Sequence, residues 1–311
     1  SLVRETRLWK ASLVQPLFVW EGGECMAVGS MPGIKKLSIE GLVQECGDLV
    51  QLGCLAVAIF PSIAWKRKDA HGSCGLDPEN ILFSAVHAVK KSYPGLMVIA
   101  DVALDPYTDH GHDGILDSKG CIDNDASVEA LCELAVAEAK VGVDIVAPSD
   151  MMDGRVGAIR RALDDAGFQE VSILSYAVKY ASAYYGPFRD AVGSSKSLSL
   201  LDKRSYQMDP ANVREAVREA LLDVQEGADM LMVKPAGLYL DVIRVVREQT
   251  LLPLAAFQTS GEYAQIHAAA QLGWLDYRQT RDEALLAIRR AGADLILTYF
   301  AREIAEASTL T

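Results

Sequence analysis

Two lysines stand where apolar runs end, a place in which an ammonium group is costly. Lys234 closes DMLMVK and is followed at once by Pro235, while Lys179 lies in SILSYAVKYASAYYGPFRD, after the run that precedes it. One lysine of this kind, taken alone, reads as a buried stem whose charged head reaches water. Two at matching places on neighbouring strands mean more, because such strands lie roughly 4.8 Å apart and the amines can approach one another. Each cation then disfavours protonation of the other, and burial acts in the same direction. A neutral amine is the nucleophile that forms a Schiff base with a ketone, so the pair points to carbonyl chemistry.

A substrate held by such a pair needs anchors. Arg189 follows GPF, and SSKSLSLLDKRSYQ carries Lys203, Arg204 and Gln207. The stretch from about 190 to 207 reads either as a solvated basic loop or as a lid that keeps water from imine intermediates. Ser260 in QTSGEY and Tyr299 in LTYF would offer neutral hydroxyls to a carboxylate from the other side. Either one alone reads more often as a satisfied core hydroxyl.

DVALDPYTDHGHDG (101–114) crowds Asp101, Asp105, Asp109, His110, His112 and Asp113 into one segment. Its oxygen donors suit Mg²⁺ better than Zn²⁺. The competing reading is a turn-rich loop whose Asp and His side chains satisfy nearby backbone groups. SDMMDGRVG adds Ser149 and Asp153 beside it, with Gly154 as a turn residue. His71, His87 and His267 carry no partner pattern, KRKD (66–69) reads as solvated surface, and no Gly-rich phosphate cradle is present.

The elements that must position these residues show a repeated rhythm: a short apolar run, a polar turn, then a longer helical stretch. Eight runs can be read: PLFV (16–19), LAVAIF (55–60), MVIADV (97–102), DIVAP (144–148), SILSY (172–176), DMLMV (229–233), PLAAF (253–257) and DLILT (294–298). Each is apolar on both faces, as strands covered by helices are. SVEALCELAVAEAKVG and ANVREAVREALLDVQEG, lying between runs, have apolar residues at three-to-four spacing and a Gly near the end. KVGVDIV, QEGADMLMV and RAGADLILTY lead into strands with the same wording, either a repeat or common αβ-loop chemistry. The alternation predicts an α/β fold, a single (β/α)8 barrel over residues 16–311 behind a short N-terminal arm (1–15), in preference to a doubly wound sheet. In such a barrel the chemistry sits at the C-terminal strand ends, which gathers Asp101, Ser149, Lys179, Lys234, Ser260 and Tyr299 at one mouth.

Composition narrows the class further. The chain has 311 residues, half of them hydrophobic, enough for one large core. A net charge of -12 argues against a nucleic-acid partner, since phosphate backbones demand a basic footprint. No apolar run approaches the ~18 residues of a membrane span, and the N-terminus has no apolar signal-like region. Six scattered cysteines without a CxxC pair read as reduced thiols of a cytosolic protein.

SMPGIKKLS, DVALDPYTDHGHDG, APSDMMDGRVGAIRRALD, LSYAVKYASAYYGPFRDAVGSS, YQMDPAN, EGADMLMVKPAGLYLDV, TSGEYA and GADLILTYFA resemble, in this order, the porphobilinogen synthase (5-aminolevulinate dehydratase) family. The resemblance runs from about residue 12 to near the C-terminus. It implies a TIM barrel that condenses two 5-aminolevulinate molecules into porphobilinogen, with loss of two waters, for tetrapyrrole synthesis. It implies that Lys234 holds the P-side substrate, with its carboxylate at Ser260 and Tyr299. Lys179 would hold the A-side substrate, with its carboxylate at Arg189, Lys203 and Gln207. Asp101 and Ser149 would line the amino-group pocket, and Tyr185 and Phe188 would be packing walls.

The family divides by metal use. Its zinc-dependent members carry three cysteines where this chain has Ala103, Asp105 and Asp113. The resemblance therefore implies the class without active-site zinc, with Mg²⁺ at an allosteric site that includes Glu219, and a further ion or water site at Asp105 and Asp113. It also implies a homo-oligomer, an octamer in the family, located in the cytoplasm or in an organelle stroma if the start is processed. Three departures stand out. Only about 15 residues precede PLFV, fewer than in the family's assembly arm. Phe257 stands where Tyr is usual, and GSCGLDPEN (72–80) departs from GSEAxN. Two other readings compete: a class I Schiff-base aldolase on the same barrel, and a non-catalytic barrel. The second lysine and the missing phosphate cradle argue against the first; the intact Lys179, Lys234, Ser260 and Tyr299 argue against the second.

Overall fold

The computed structural model describes residues 2–192 and 202–307, so the middle of the expected lid, 193–201, lies outside the described residues. In chain order the strands are β1 (Leu13–Trp20), β2 (Met26–Ala27), β3 (Lys35–Leu37), β4 (Ala56–Ser62), β5 (Met97–Val102), β6 (Ile145–Pro148), β7 (Ser172–Lys179), β8 (Met230–Lys234), β9 (Leu254–Gln258) and β10 (Leu295–Thr298). The helices are α1 (Ile39–Gln51), α2 (Ile81–Ser92), α3 (Asn124–Lys140), α4 (Arg155–Asp165), α5 (Gly186–Val192), α6 (Arg214–Glu226), α7 (Leu240–Gln249), α8 (Ser260–Gln271), α9 (Tyr277–Ala291) and α10 (Ala301–Glu306).

β1 and β4 to β10 pair in parallel, each with the next, and β10 closes onto β1 through Leu13↔Ile296 and Val14↔Leu297. This is the expected (β/α)8 barrel. The strands are buried along nearly their whole length, which explains why their sequences read as continuous apolar runs without alternation. Helices cover the outside, started by side chains that accept the first free N–H groups: Ser38 from Gly41 at 3.1 Å, Asp123 from Ala126 at 3.1 Å and Asp276 from Gln279 at 2.8 Å. Gly227 ends α6 at φ 101°, a left-handed turn that a side chain would strain.

The repeated Asp before a strand has a definite structural task. The Asp144 carboxylate accepts from Val98 N at 2.7 Å, Asp229 from Ile173 N at 2.8 Å, and Asp294 from Leu254 N at 3.0 Å. Each residue also donates its own N–H back across the same gap, to Val98, Ile173 and Leu254. These three clasps fasten β5 to β6, β7 to β8 and β9 to β10 at the end of the barrel opposite the site.

Three boundaries differ from the sequence expectation. β1 begins at Leu13, so residues 13–15 belong to the barrel and not to the arm. β2 and β3 form a small antiparallel ladder after β1 that no periodicity announced. β7 continues past Tyr176 to Lys179, with a register irregularity between Ser175 and Val178, so Lys179 is the last residue of a strand and not part of a following loop.

Candidate active site

Lys179 and Lys234 are direct partners in the β7–β8 ladder, and each is 6% exposed. The strand ends thus bring both amines into one desolvated place. The surroundings then differ. Lys234 Nζ lies 4.4 Å from the ring centre of Phe257, 5.1 Å from Tyr176, 5.2 Å from Phe188 and 5.3 Å from Tyr185. Burial and then the Lys179 cation lower its pKa to about 7, against the opposing pull of Asp101. A large fraction of this amine is therefore neutral near neutral pH.

Lys179 Nζ donates to the Ser149 carbonyl and lies 3.4 Å from Asp113 Oδ1. Asp113 Oδ2 is 2.9 Å from Lys203 Nζ, which in turn is 3.6 Å from Asp105 Oδ2. Two carboxylates and two ammonium groups thus alternate in a row: Asp105, Lys203, Asp113, Lys179. Burial works to raise the Asp113 pKa, but the Lys179 and Lys203 cations and hydrogen bonds from Lys203 and Tyr206 hold it well below the usual carboxylate range. Burial likewise works to lower Lys203, and Asp113 and Asp105 outweigh it, so its pKa is raised. The position between Asp105 and Asp113 is filled by the Lys203 ammonium.

Asp101, near the end of β5, is pushed up to about 6 by burial, with Lys234 opposing. It is hydrogen-bonded to the Ser149 side chain, and its Oδ1 finds no partner among the described residues. The Tyr299 hydroxyl is also buried without a partner among the described residues, its ring stacked on Phe18 at 6.0 Å. Orphaned buried polar atoms at one mouth are what a polar substrate would satisfy. Ser260, first residue of α8, accepts from Phe188 N at 2.9 Å and so ties α8 to α5. The Tyr185 hydroxyl donates to Tyr180 O at 2.7 Å and lies 3.3 Å from Lys234 O. The Phe188 ring meets Phe60 edge-on at 5.3 Å. Arg189 lies on α5, close enough to Lys203 that the two cations repel. Gln207 is buried and its N–H donates to Lys203 O at 2.8 Å.

Glu219 is elsewhere. It lies on α6 in the wall of a cavity of 710 Å³ that Asn124, Asp153, Gln207, Glu215 and Arg218 also line. Burial, with Asp153 and Asp223 adding to it, raises its pKa, against Arg218 at 3.2 Å. The imidazoles of the 101–114 segment serve local partners: His110 Nε2 lies 3.1 Å from Ala70 O, and His112 Nδ1 lies 3.0 Å from the Tyr206 hydroxyl. Among the described residues no three His, Cys, Asp or Glu side chains gather as metal ligands.

The family model for delta-aminolevulinic acid dehydratase matches residues 1–307. The chain belongs to that family. It is 52% identical to the delta-aminolevulinic acid dehydratase of Halalkalibacterium halodurans, over 98% of this chain and 92% of the relative. It is 50% identical to that of Bradyrhizobium diazoefficiens, over 98% and 86% respectively. The crystal structure of the delta-aminolevulinic acid dehydratase (porphobilinogen synthase) from Toxoplasma gondii ME49, in complex with the reaction product porphobilinogen, superimposes with a TM-score of 0.96. That match is 47% identical over 98% of this chain and 87% of the other. The resemblance in sequence motifs, the barrel and these matches agree.

Within this dehydratase site several contributors carried no sequence signal. Tyr176, inside the SILSY run, looked like a plain core residue, yet it forms one wall around Lys234. Phe257, noted only as a departure from the family's Tyr, is the ring nearest that amine. Behind β6 and β7, buried Arg155 meets Asp223 at 3.2 Å, Asp150 at 3.5 Å and Ser175 Oγ at 3.2 Å. Asp150 and Arg155 are five residues apart in SDMMDGR, but nothing local announces Asp223 as their partner. Buried Asn80, in the divergent 72–80 stretch, caps α2 through Leu82 N at 3.0 Å and reaches the Tyr107 hydroxyl at 3.2 Å.

Proposed function

We propose that this chain condenses two 5-aminolevulinate molecules into porphobilinogen and two waters, with one substrate bound as an imine on Lys234 and the other on Lys179. The observation that carries the reading is the register-paired, buried lysine couple set in two unlike environments. Lys234, neutral in part near pH 7, attacks the ketone of its substrate; the carbinolamine loses water to give the imine. At Lys179 the Asp113 carboxylate faces the nitrogen that would carry the positive charge as an iminium.

The remaining groups divide between the two substrates. Ser260 and the unpartnered Tyr299 hydroxyl take the carboxylate on the Lys234 side; Arg189, Lys203 and Gln207 take that on the Lys179 side. Lys203 would then exchange a protein carboxylate for a substrate one. Asp101 and Ser149 receive an amino group, and Asp101, titrating near 6, is suited to move its proton. Four aromatic faces around Lys234 exclude water from the imine.

The site reads as the class without active-site zinc. Ala103, Asp105 and Asp113 offer no thiolate, and an ammonium stands between the two carboxylates. Glu219 would take a hydrated Mg²⁺ in exchange for the Arg218 guanidinium it meets at 3.2 Å, with Asp153 and Glu215 bordering the same cavity. When bound there it would act at a distance from the lysines, as an allosteric ion. Assembly into a homo-oligomer, an octamer by family resemblance, and a cytoplasmic location complete the proposal; no described helix is long and apolar enough to cross a membrane.

The test is porphobilinogen formation from 5-aminolevulinate with a chelator, with added Mg²⁺ and with added Zn²⁺. Turnover that survives zinc chelation and rises with Mg²⁺ supports the whole reading. Dependence on zinc keeps the reaction and overturns the metal assignment. Folded protein that makes no product under any condition overturns the reaction itself.

A further inference from the structure

One short segment touches both sides of the Lys179 environment. Met208 N donates to Lys179 O at 3.0 Å and Met208 O accepts from Ala181 N at 2.8 Å, so the segment adds a parallel bridge to the end of β7. Five residues earlier, Lys203 is paired with Asp113 and Asp105. Between them Tyr206 turns its phenol onto the 101–114 segment. The phenol oxygen accepts the Asp113 backbone N–H at 3.3 Å and lies 3.0 Å from His112 Nδ1.

We propose that Tyr206 is a positioning residue for the reaction at Lys179: its oxygen holds the main chain at Asp113 so that one carboxylate oxygen faces Lys179 and the other faces Lys203. The inference rests on Lys179 forming an imine. An iminium at Lys179 carries the charge that the ammonium carried, and a carboxylate 3.4 Å away stabilises it. Without the anchor, Asp113 is free to turn wholly to Lys203, which is the closer of its two cations at 2.9 Å. Tyr206 makes no comparable contact with the Lys234 half, whose amine is walled by Phe257, Tyr176, Phe188 and Tyr185. The effect of losing the phenol oxygen is therefore one-sided.

The experiment uses the intact chain and its Tyr206→Phe, Asp113→Asn and doubly substituted variants. Each is incubated with 5-aminolevulinate, reduced with borohydride, and the adducts on Lys179 and Lys234 are quantified by peptide mass spectrometry alongside kcat. Tyr206→Phe keeps the ring and removes one hydrogen-bonding oxygen, so the Lys179 adduct and kcat fall about tenfold. The Lys234 adduct stays at its wild-type level. Because Tyr206 acts through Asp113, adding Tyr206→Phe to Asp113→Asn changes little further. An unchanged Lys179 adduct, an equal loss at both lysines, or fully additive effects in the double variant overturns the proposal. Wild-type protein that carries no label on Lys179 overturns the imine role of that lysine, and this inference with it.

Discussion

Lys179 and Lys234 are ladder partners on neighbouring strands, yet one side-chain nitrogen faces a carboxylate and a carbonyl while the other faces four aromatic rings. A symmetric pair would treat two copies of one substrate alike. Under the proposed mechanism this arrangement would separate them, because the charge that follows imine formation would be compensated on the Lys179 side and confined by rings on the other. Two molecules that play different parts in one condensation would then meet different surroundings from the start.

Trapping of substrate at Lys234 needs the free amine, so its rate rises with pH through about 7. Burial and then the Lys179 cation hold that pKa down. Lys179→Met removes the second cause, and the ascending limb of the trapping profile moves to higher pH. Borohydride trapping across the neutral range reads this directly. A limb that does not move assigns the whole depression to burial.

Arg155 is the centre of a buried network, and removing it strands two carboxylates. Asp150 is already pushed up to about 6 by burial in spite of Arg155. Arg155→Leu is expected to lower stability by about 3–5 kcal/mol, the cost of breaking a buried ion pair from one side. Urea unfolding at neutral pH measures the loss. The deficit shrinks as the pH falls, because protonating Asp150 removes one of the stranded charges; a deficit independent of pH would refute this account.

Glu138, on α3, is fully buried and neither carboxyl oxygen has a partner among the described residues. Burial raises its pKa well above the ordinary Glu value, with Asp101 adding to it. The folded state therefore favours the protonated form. Its contribution is complete below the unfolded pKa and is lost as the pH rises toward the folded one. Glu138→Met fills the same space without an ionisable group, so it stabilises most on the alkaline side, by about 1–3 kcal/mol. Melting curves of both proteins from acid to mildly alkaline pH should diverge with increasing pH, and parallel curves would exclude an ionisation penalty.

If Mg²⁺ acts through Glu219, Glu219→Ala shifts the Mg²⁺ activation midpoint to higher concentration. A loss of about tenfold or more in affinity is the expected scale for removing a carboxylate donor from a hydrated ion. Direct binding of Mn²⁺ by electron paramagnetic resonance supplies a readout independent of turnover. Identical midpoints in both assays would move the ion to other ligands.

The amino-acid sequence by itself determined the barrel and the position of both lysines. Strand burial and helix ends are written in runs of a few residues, so the eight apolar runs and the closing Gly227 were legible one segment at a time, whereas the capping roles of Ser38, Asp123 and Asp276 emerged only with the folded helices. The strand-end rule then turned Asp101, Ser149, Lys179, Lys234, Ser260 and Tyr299 into one candidate mouth. Tertiary structure alone decided what each group faces. The β7 irregularity after Ser175 carries the strand on to Lys179, and only closure of the barrel places Lys203 between Asp105 and Asp113. The rings around Lys234 come from three segments, and the Asp clasps become meaningful once their partner strands lie alongside. The physical reason is range: hydrophobic period and capping act between residues a few positions apart, whereas desolvation and Coulomb interaction act through space between segments the chain brings together only when folded.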